Sequence, residues 1–290
     1  MSEGGHTVRH RKPCDPVMGL LRLWSAAVYV FLFLPIVFVV AHSFTKSSAF
    51  LVWGGFSTKW YTRMFDNEPL KNSIKVSVIV AAGSTAIALV IGGLAGVALA
   101  RRPGKWTYPF LGLIFLVLVT PEIVDALGYL IWFVKLGEQS GGSALNGGYT
   151  RLIIAHAIFS SAVVTLIVRA RLAGLDESLE EAAADLYASP VTAFRQITLP
   201  LMSPALLAGG LLAFTFSLDN TVVSSFLAKA GRTPFPAYIF SSVRSVIKPD
   251  LGAAAALMLG FTLLSLFLVA MVLRRGGDSA EKVAATLTGT

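Results

Sequence analysis

Long apolar runs without a charged residue are the feature that most constrains what this chain can fold into. A membrane-spanning helix needs roughly 20 predominantly apolar residues. Runs of that order cover Leu23–Ala41, Val76–Ala100, Gln196–Leu218 and Leu251–Leu273. A slightly shorter run, Leu152–Val168, contains His156 as its one ionisable residue. These runs predict an all-α membrane protein.

A further span is predicted between residues 106 and 134 if Glu122 and Asp125 are tolerated inside the membrane. Pro200 and Pro204 move the expected start of the fifth span to residue 203, because proline disrupts a helix interior. The six predicted spans therefore cover residues 22–43, 73–100, 107–134, 151–170, 203–228 and 250–273. They form a transmembrane domain of residues 20–275 between an N-terminal segment, 1–19, and a C-terminal tail, 276–290.

The composition agrees with this prediction. Of the 290 residues, 55% are hydrophobic and only 14% are charged, whereas a soluble domain has about 25% charged residues. A soluble enzyme is therefore not expected. The excess of 24 Lys and Arg over 16 Asp and Glu indicates charge that flanks membrane helices, not a nucleic-acid interface. Basic pairs at span ends, such as Arg101 with Arg102, favour a cytoplasmic location for both termini.

The strongest local signals lie between the fourth and fifth spans. Ser178 and Glu181 have the spacing of a capping box, which predicts a helix from Ser178 to about Tyr187. Ser189 followed by Pro190 predicts the start of a second helix, which we expect to end by residue 198 because residue 200 is a proline. The three alanines in the first helix favour a flat surface against another protein, although an ordinary connecting helix explains them equally well.

This segment resembles the EAA loop of permeases from ATP-binding-cassette (ABC) importers. The residues that match the family pattern are Glu181, Ala182, Ala183, Ile197, Leu199 and Pro200. Tyr187 stands where the family has glycine. The runs GGFSTKWY (54–61), TPEIVDALGYL (120–130) and LAFTFSLDNTVVSSFLA (212–228) are similar to segments of the spermidine/putrescine permeases. The chain is identified as a member of this permease family.

The resemblance implies a MetI-like fold of type I importers, with six transmembrane helices and a cytoplasmic coupling loop at residues 171–202. In the family this loop docks into a cleft of the ATPase subunit. The residues implied in that contact are Glu181, Ala182, Ala183, Tyr187, Phe194, Leu199 and Pro200. The resemblance also implies a second permease subunit, two ATPase subunits that bind ATP and Mg, and an extracytoplasmic solute-binding protein, all at a bacterial cell membrane.

No cofactor, metal or catalytic group is expected on this chain itself. The sequence has no G-x-x-x-x-G-K-[ST] pattern, because its one Gly-Lys pair, Gly104-Lys105, is followed by Trp106. It also lacks a Ser/His/Asp set and an H-E-x-x-H motif. ATP hydrolysis therefore belongs to separate subunits if the family resemblance holds.

Acidic residues inside predicted spans are candidates for the substrate path, because a carboxylate at the membrane centre costs about 2.5–3.5 kcal/mol and normally faces a cavity or a partner. Glu122 and Asp125 share a helix face, with Tyr129 seven residues after Glu122, and such a stripe suits an alkylammonium. Asp219 and Asn220 give the fifth span a polar side. Alternatively, these acids bind Lys75, Lys135 or backbone groups and only stabilise the bundle.

The resemblance supports Glu122 and Asp219 as path residues, because the polyamine permeases carry acids at the matching positions. It adds Trp53, which lies where the family has a tryptophan. Asn220 departs from the family, which has a second acid there. The expected function is therefore an importer permease subunit for polyamines or a related small amine.

A different class of protein is a stand-alone carrier driven by ions or protons. It would use Asp219, Glu122 and His156 as a relay, although His156 alone in an apolar span is also explained by packing. Inverted repeats and broken helices would favour this alternative, and the sequence shows no internal repeat. A membrane-embedded enzyme is a more distant alternative, since no catalytic set of residues is present.

Overall fold

The computed structural model describes residues 16–49, 52–139, 144–243 and 249–275. The predicted terminal segments, 1–19 and 276–290, lie outside these ranges except for residues 16–19. The described residues form helices α1 (Pro16–Ser43), α2 (Lys59–Asp66), α3 (Glu68–Arg101), α4 (Thr107–Val119), α5 (Glu122–Gln139), α6 (Gly148–Ala173), α7 (Ser178–Asp185), α8 (Pro190–Ala193), α9 (Leu199–Asp219), α10 (Val222–Leu227), α11 (Phe235–Val243) and α12 (Pro249–Arg275).

Five helical stretches in these ranges are long and apolar enough to cross a bilayer. They are Met18–Ser43, Glu68–Arg101, Gly148–Ala173, Pro190–Asp219 and Pro249–Met271. Helices α4 and α5 make a sixth if the bent pair is counted as one span. The prediction of an all-α membrane fold with six spans is confirmed at this level.

The third predicted span, residues 107–134, is not one straight helix but is broken into α4 and α5. The chain bends by 104° between helices α4 and α5. Thr120 ends α4 with an extended backbone, ψ 133°. This conformation follows from Pro121, because the proline ring disfavours helical geometry in the residue before it. The break leaves Glu122 as the first residue of α5.

The fifth span also differs from the prediction at both ends. Its helix is continuous from Pro190 to Asp219, so the second loop helix does not end by residue 198. A π-helical turn, Phe194–Thr198, joins α8 to α9 immediately before Pro200. This wider turn changes the backbone pairing that proline would otherwise break, which explains why the helix continues. At the other end the helix stops at Asp219, and Asn220 is extended, with ψ 108°, before α10 begins.

Helices α3, α6 and α9 form the centre of the bundle. Their packed side chains include Ala88, Val164, Val168, Met202 and Ala213. Helices α3 and α6 approach so closely at Gly96 that an added Cβ would lie 2.7 Å from Val168 Cβ. Such contacts replace the hydrophobic driving force that is missing between helices in a bilayer. Helix α1 packs along α12, outside this centre.

The two ends of the bundle carry different structures. Helices α7 and α8 lie at one end, called here the coupling end, where the last residue of α3, Arg101, contacts Glu180. The opposite end carries α2 and the loop of residues 44–58. That loop folds back on itself, since the Ser57 N–H donates to the Phe44 carbonyl (2.7 Å) and the Lys46 N–H donates to the Gly55 carbonyl (2.7 Å).

Candidate functional site

A cavity of about 470 Å³ lies between the two helix breaks. One wall comes from the α4–α5 break, another from the α9–α10 break, and the third from α6. The residues that line it are Val117, Leu118, Thr120, Glu122, Asp125, Tyr129, Ala155, His156, Phe159, Ser160, Phe216, Ser217, Asp219, Asn220, Thr221, Val222 and Val223. Five of the six predicted path residues are therefore brought together.

The cavity is acidic. Glu122 and Asp125 lie in the first turn of α5, where the positive end of the helix dipole stabilises negative charge. Asp219 is the last residue of α9. No Lys or Arg is among the described residues that line the cavity, and neither Lys75 nor Lys135 pairs with these acids in the described ranges. The structure therefore does not support the alternative in which those lysines neutralise the acids.

The two breaks are joined by a direct contact. The Asn220 side-chain amide donates to Glu122 Oε1. Asp219 is held more loosely, since the Thr262 hydroxyl donates to its Oδ1 at 3.5 Å. Asp219 also lines a second cavity of about 430 Å³, between α9, α11 and α12. This carboxylate is thus shared by two cavities.

Aromatic rings and a buried imidazole complete the walls. Phe159 and Phe216 meet edge to face with ring centroids 5.9 Å apart. His156 is buried, and its Nδ1 lies 2.7 Å from the Ser217 hydroxyl while its Nε2 lies 3.3 Å from the Ser224 hydroxyl. These contacts agree with the interpretation of His156 as a packing residue. Carboxylates beside aromatic faces suit an alkylammonium group through charge pairing and cation–π attraction.

Trp53 is the predicted path residue that the structure places elsewhere. It lies in the loop of residues 44–58, and its side chain is 53% exposed. Its ring stands edge-on to His42, with centroids 6.0 Å apart. The Gly54 N–H donates to Thr45 Oγ1 (3.0 Å), and this bond fixes the loop beyond the end of the bundle. Trp53 is therefore not among the described residues that line the cavity.

At the coupling end, α7 does not begin with the predicted capping box. The residue at the N-cap of α7 is Glu177, not Ser178, and the Glu177 side chain makes no cap bond. Instead the Ser178 N–H donates to Asp176 Oδ1 at 2.9 Å. Hydrogen bonds from Ser178 lower the pKa of Asp176 below its ordinary value. The second predicted cap is confirmed, since the Thr192 N–H donates to the Ser189 hydroxyl at 3.2 Å.

The C-terminus of α7 forms a Schellman motif around Tyr187. The Tyr187 N–H donates to the Ala184 carbonyl (2.9 Å), and the Ala188 N–H donates to the Ala183 carbonyl (3.0 Å). Tyr187 has φ 57° and is the one non-glycine residue with positive φ in the described ranges. Glycine favours this position because a side chain strains the left-handed backbone. The motif thus explains the glycine of the resembling family.

The predicted coupling residues do not share one surface. Glu181, Ala182, Leu199 and Pro200 are exposed, whereas Phe194 packs partly against the α3–α6–α9 centre. Ala183 is buried at 8% exposure, so the expectation of a flat surface from all three alanines is wrong at its middle residue. The large apolar side chains that the loop exposes are Leu179, Leu186, Tyr187, Val191 and Leu199.

Arg101 fixes this loop to the bundle, and sequence reasoning missed it. Its Nε donates to Glu180 Oε1 (3.1 Å), and its Nη1 donates to Glu177 Oε1 (3.2 Å) and to the Leu172 carbonyl (3.1 Å). The Thr198 hydroxyl donates to the same Glu180 oxygen at 2.9 Å. One sequence signal could have indicated this contact. Glu177 and Glu180 are three residues apart, a spacing that puts two side chains on one side of a helix, and a predicted span ends at the basic residue Arg101.

Replacing Tyr187 by glycine is expected to stabilise the loop, because it removes left-handed strain of about 1 kcal/mol. We expect hydrogen exchange of the Ala188 amide to slow about fivefold, measured by mass spectrometry of the purified protein. Leu186→Gly is the matched control, since Leu186 has an ordinary φ of −83° and is also exposed. That control should exchange faster. Equal rates for Tyr187→Gly and the wild type would show that the turn stores no strain.

Known proteins are similar to this chain over most of its length. A family model described as "Binding-protein-dependent transport system inner membrane component" matches residues 88–278. The putrescine transport system permease protein PotI of Escherichia coli (strain K12) is 38% identical over 234 residues, covering 80% of this chain and 83% of that protein. The spermidine/putrescine transport system permease protein PotC of Haemophilus influenzae is 37% identical over 248 residues, covering 86% and 94%.

Solved structures agree in fold. A bacterial alginate ABC transporter in complex with alginate pentasaccharide-bound periplasmic protein matches with a TM-score of 0.68 and 14% identity, covering 89% of this chain and 94% of that chain. The MetNI methionine ABC transporter in an inward-facing conformation matches with a TM-score of 0.55 and 17% identity, covering 72% and 99%. These similarities concern the arrangement of the helices.

Proposed function

Because this chain belongs to the family of binding-protein-dependent transport system inner membrane components, we propose that it forms half of the path through which an ABC importer carries polyamines or a related small amine. The chain is a permease subunit, and the relatives named above are permeases of putrescine and of spermidine/putrescine transport.

The acidic cavity is the observation that carries the substrate assignment. Glu122, Asp125 and Asp219 line it, and no Lys or Arg is among its described walls. Uncompensated carboxylates in a membrane bundle are expensive unless they face a cavity or a partner. A polyamine offers ammonium groups for the carboxylates and methylene groups for the aromatic walls, which matches both surfaces of the cavity.

The coupling end is proposed to face the cytoplasm, together with both termini. The exposed apolar side chains of the loop would then dock on an ATPase subunit that binds ATP and Mg; they are Leu179, Leu186, Tyr187, Val191 and Leu199. A second permease chain would close the path, and a solute-binding protein would deliver the amine at the opposite end. Closure of the ATPase pair would move α7 and α8 and reopen the helices outward.

The stand-alone carrier is not favoured. Broken helices are common in secondary carriers, and two spans are interrupted here. Breaks alone therefore do not separate the two classes. The family match and the importer-like arrangement of the helices do separate them, and they favour the ABC importer.

Reconstitution tests the proposal directly. The chain is purified with an affinity tag from its own cells and placed in vesicles that enclose ATP, and uptake of labelled putrescine is measured with and without the binding protein. We expect an ATPase to co-purify, and uptake to require both enclosed ATP and the binding protein. Spermidine should compete for uptake, whereas 1,4-butanediol, which has the same length without charge, should not.

Two outcomes would contradict the proposal. Uptake driven by an imposed ion gradient without ATP would indicate the stand-alone carrier. Competition by 1,4-butanediol as strong as that by spermidine would show that the acidic cavity does not select a cation.

A further inference from the structure

The contact between Asn220 and Glu122 links the two helix breaks across the cavity. Glu122 is the first residue of α5, immediately after the α4–α5 break. Asn220 lies in the α9–α10 break itself. The Asn220 amide donates to Glu122 Oε1. This hydrogen bond is the polar contact between the two breaks, and it lies beside an apolar cluster in which Ala126 and Phe133 of α5 pack with Val223 and Leu227 of α10.

The orientation of the Asn220 side chain is fixed by a second bond. Its Oδ1 accepts from the Ser224 N–H at 3.3 Å, at the start of α10. Because the amide oxygen is occupied by a donor, the NH₂ group is the part that faces the carboxylate. His156 supports this arrangement, since its ring contacts Ser217 before the break and Ser224 after it.

The Glu122 carboxylate is under-satisfied by this contact. A carboxylate offers about four lone-pair positions, and Asn220 is a neutral donor. No Lys or Arg in the described ranges forms an ion pair with Glu122. An ammonium group brings a full charge and three donors, and charge-assisted hydrogen bonds are about twice as strong as neutral ones. An ammonium that enters the cavity is thus a better partner for Glu122 than Asn220 is.

We propose that the Asn220 amide is an internal substitute for the substrate's ammonium group, which closes the empty path by donating to Glu122 and is displaced when the substrate binds. This inference rests on the proposed function and adds a mechanism of opening to it. The exchange replaces one donor by another on the same carboxylate oxygen, so no proton transfer is required. Displacement releases α5 from the α9–α10 break and lets the two broken spans separate.

The proposed role predicts a different effect for each residue type at position 220. An aspartate there would place a second carboxylate beside Glu122 and repel it, so the path would not be held closed. An alanine would remove the donor without adding charge. Conversely, a glutamine at position 122 would still accept from Asn220 but would no longer attract a cation. These three changes separate the closing contact from the attraction for the substrate.

The distance between α5 and α10 reports opening. Spin labels are attached at Ile123→Cys on α5 and Ser225→Cys on α10, both exposed positions, in a Cys14→Ser background, and the distance is measured by double electron–electron resonance. In the reconstituted wild-type complex, putrescine should lengthen it by more than about 2 Å, the scale of helix shifts in switching transitions. 1,4-Butanediol should not lengthen it.

The variants give distinct expected results. Asn220→Ala and Asn220→Asp should show the longer distance without any putrescine. Glu122→Gln should keep the short distance and show no response to putrescine. A short distance in both Asn220 variants would overturn the inference, whatever the substrate proves to be. Putrescine uptake by the labelled wild type, measured separately, reports on the proposed function itself.

Discussion

Putrescine uptake is expected to fall about tenfold or more in Asp219→Asn, and by a similar factor in Glu122→Gln, because each removes one charge-assisted bond worth about 1.5–3 kcal/mol. Both carboxylates line the cavity between the breaks. The amide replacements keep the shape of each side chain. They also keep an oxygen that accepts from Thr262 or from Asn220, so the bundle should assemble normally.

Initial rates of uptake, divided by the amount of chain in the membrane and by the ATPase that co-purifies, measure this effect. Glu138→Gln is the matched control, because Glu138 lies on the same helix as Glu122 and is exposed outside the cavity. Its uptake should equal that of the wild type. Unchanged uptake in both Asp219→Asn and Glu122→Gln would remove the cavity from the substrate path.

The apolar runs predicted the fold class because the bilayer imposes a simple rule on length and hydropathy. The two helix breaks were harder to predict from the sequence. Thr120-Pro121 carries a recognisable signal, since a residue before proline avoids helical geometry, but the apolar run on both sides favoured one continuous span. The break at Asn220 has no proline or glycine nearby. Asn220 Oδ1 accepts from the Ser224 N–H, which is a local bond of the kind that Asn makes at a helix start, but one such residue in an apolar run did not indicate an interruption.

The acids of the site could be predicted because a charge inside a membrane span requires an explanation. For Trp53, the sequence did not indicate where the side chain lies relative to the cavity. Resemblance placed it in a matching motif, but its position depends on hydrogen bonds within the loop of residues 44–58. The burial of Ala183 could not be predicted from the sequence either. On a helix of eight residues, periodicity does not decide which face meets the bundle, and here Arg101 decides it by binding Glu180.

Replacing Arg101 by alanine is expected to disconnect the coupling loop from the bundle and to abolish most uptake. The Arg101 side chain is 10% exposed and Glu180 is 25% exposed, so their bond is stronger than a pair at the open surface. Removing one partner of a buried pair costs about 3–5 kcal/mol, because the other charge is left uncompensated. Partial exposure reduces this figure here, and we expect a loss of uptake of about tenfold to a hundredfold.

The same change should separate ATP hydrolysis from transport. Arg101 ties α7, through Glu177 and Glu180, to the ends of α3 and α6. If α7 moves with the ATPase, this tie passes the movement to α3. Arg101→Ala should therefore still bind the ATPase through the exposed loop residues and should still hydrolyse ATP, but each hydrolysed ATP should import less putrescine. A merely structural role would lower both activities together.

Two variants make this test specific. Arg101→Lys keeps the charge but loses the planar fork that reaches both glutamates, so its uptake should be intermediate. Lys71→Ala breaks the ion pair between Lys71 and Glu68 on α3. The Lys71 side chain is 49% exposed and the Glu68 side chain is 73% exposed. Exposed pairs contribute about 0–1 kcal/mol, so Lys71→Ala should transport normally. If Arg101→Ala imports as much putrescine per ATP as Lys71→Ala does, the loop transmits movement to the bundle by another contact.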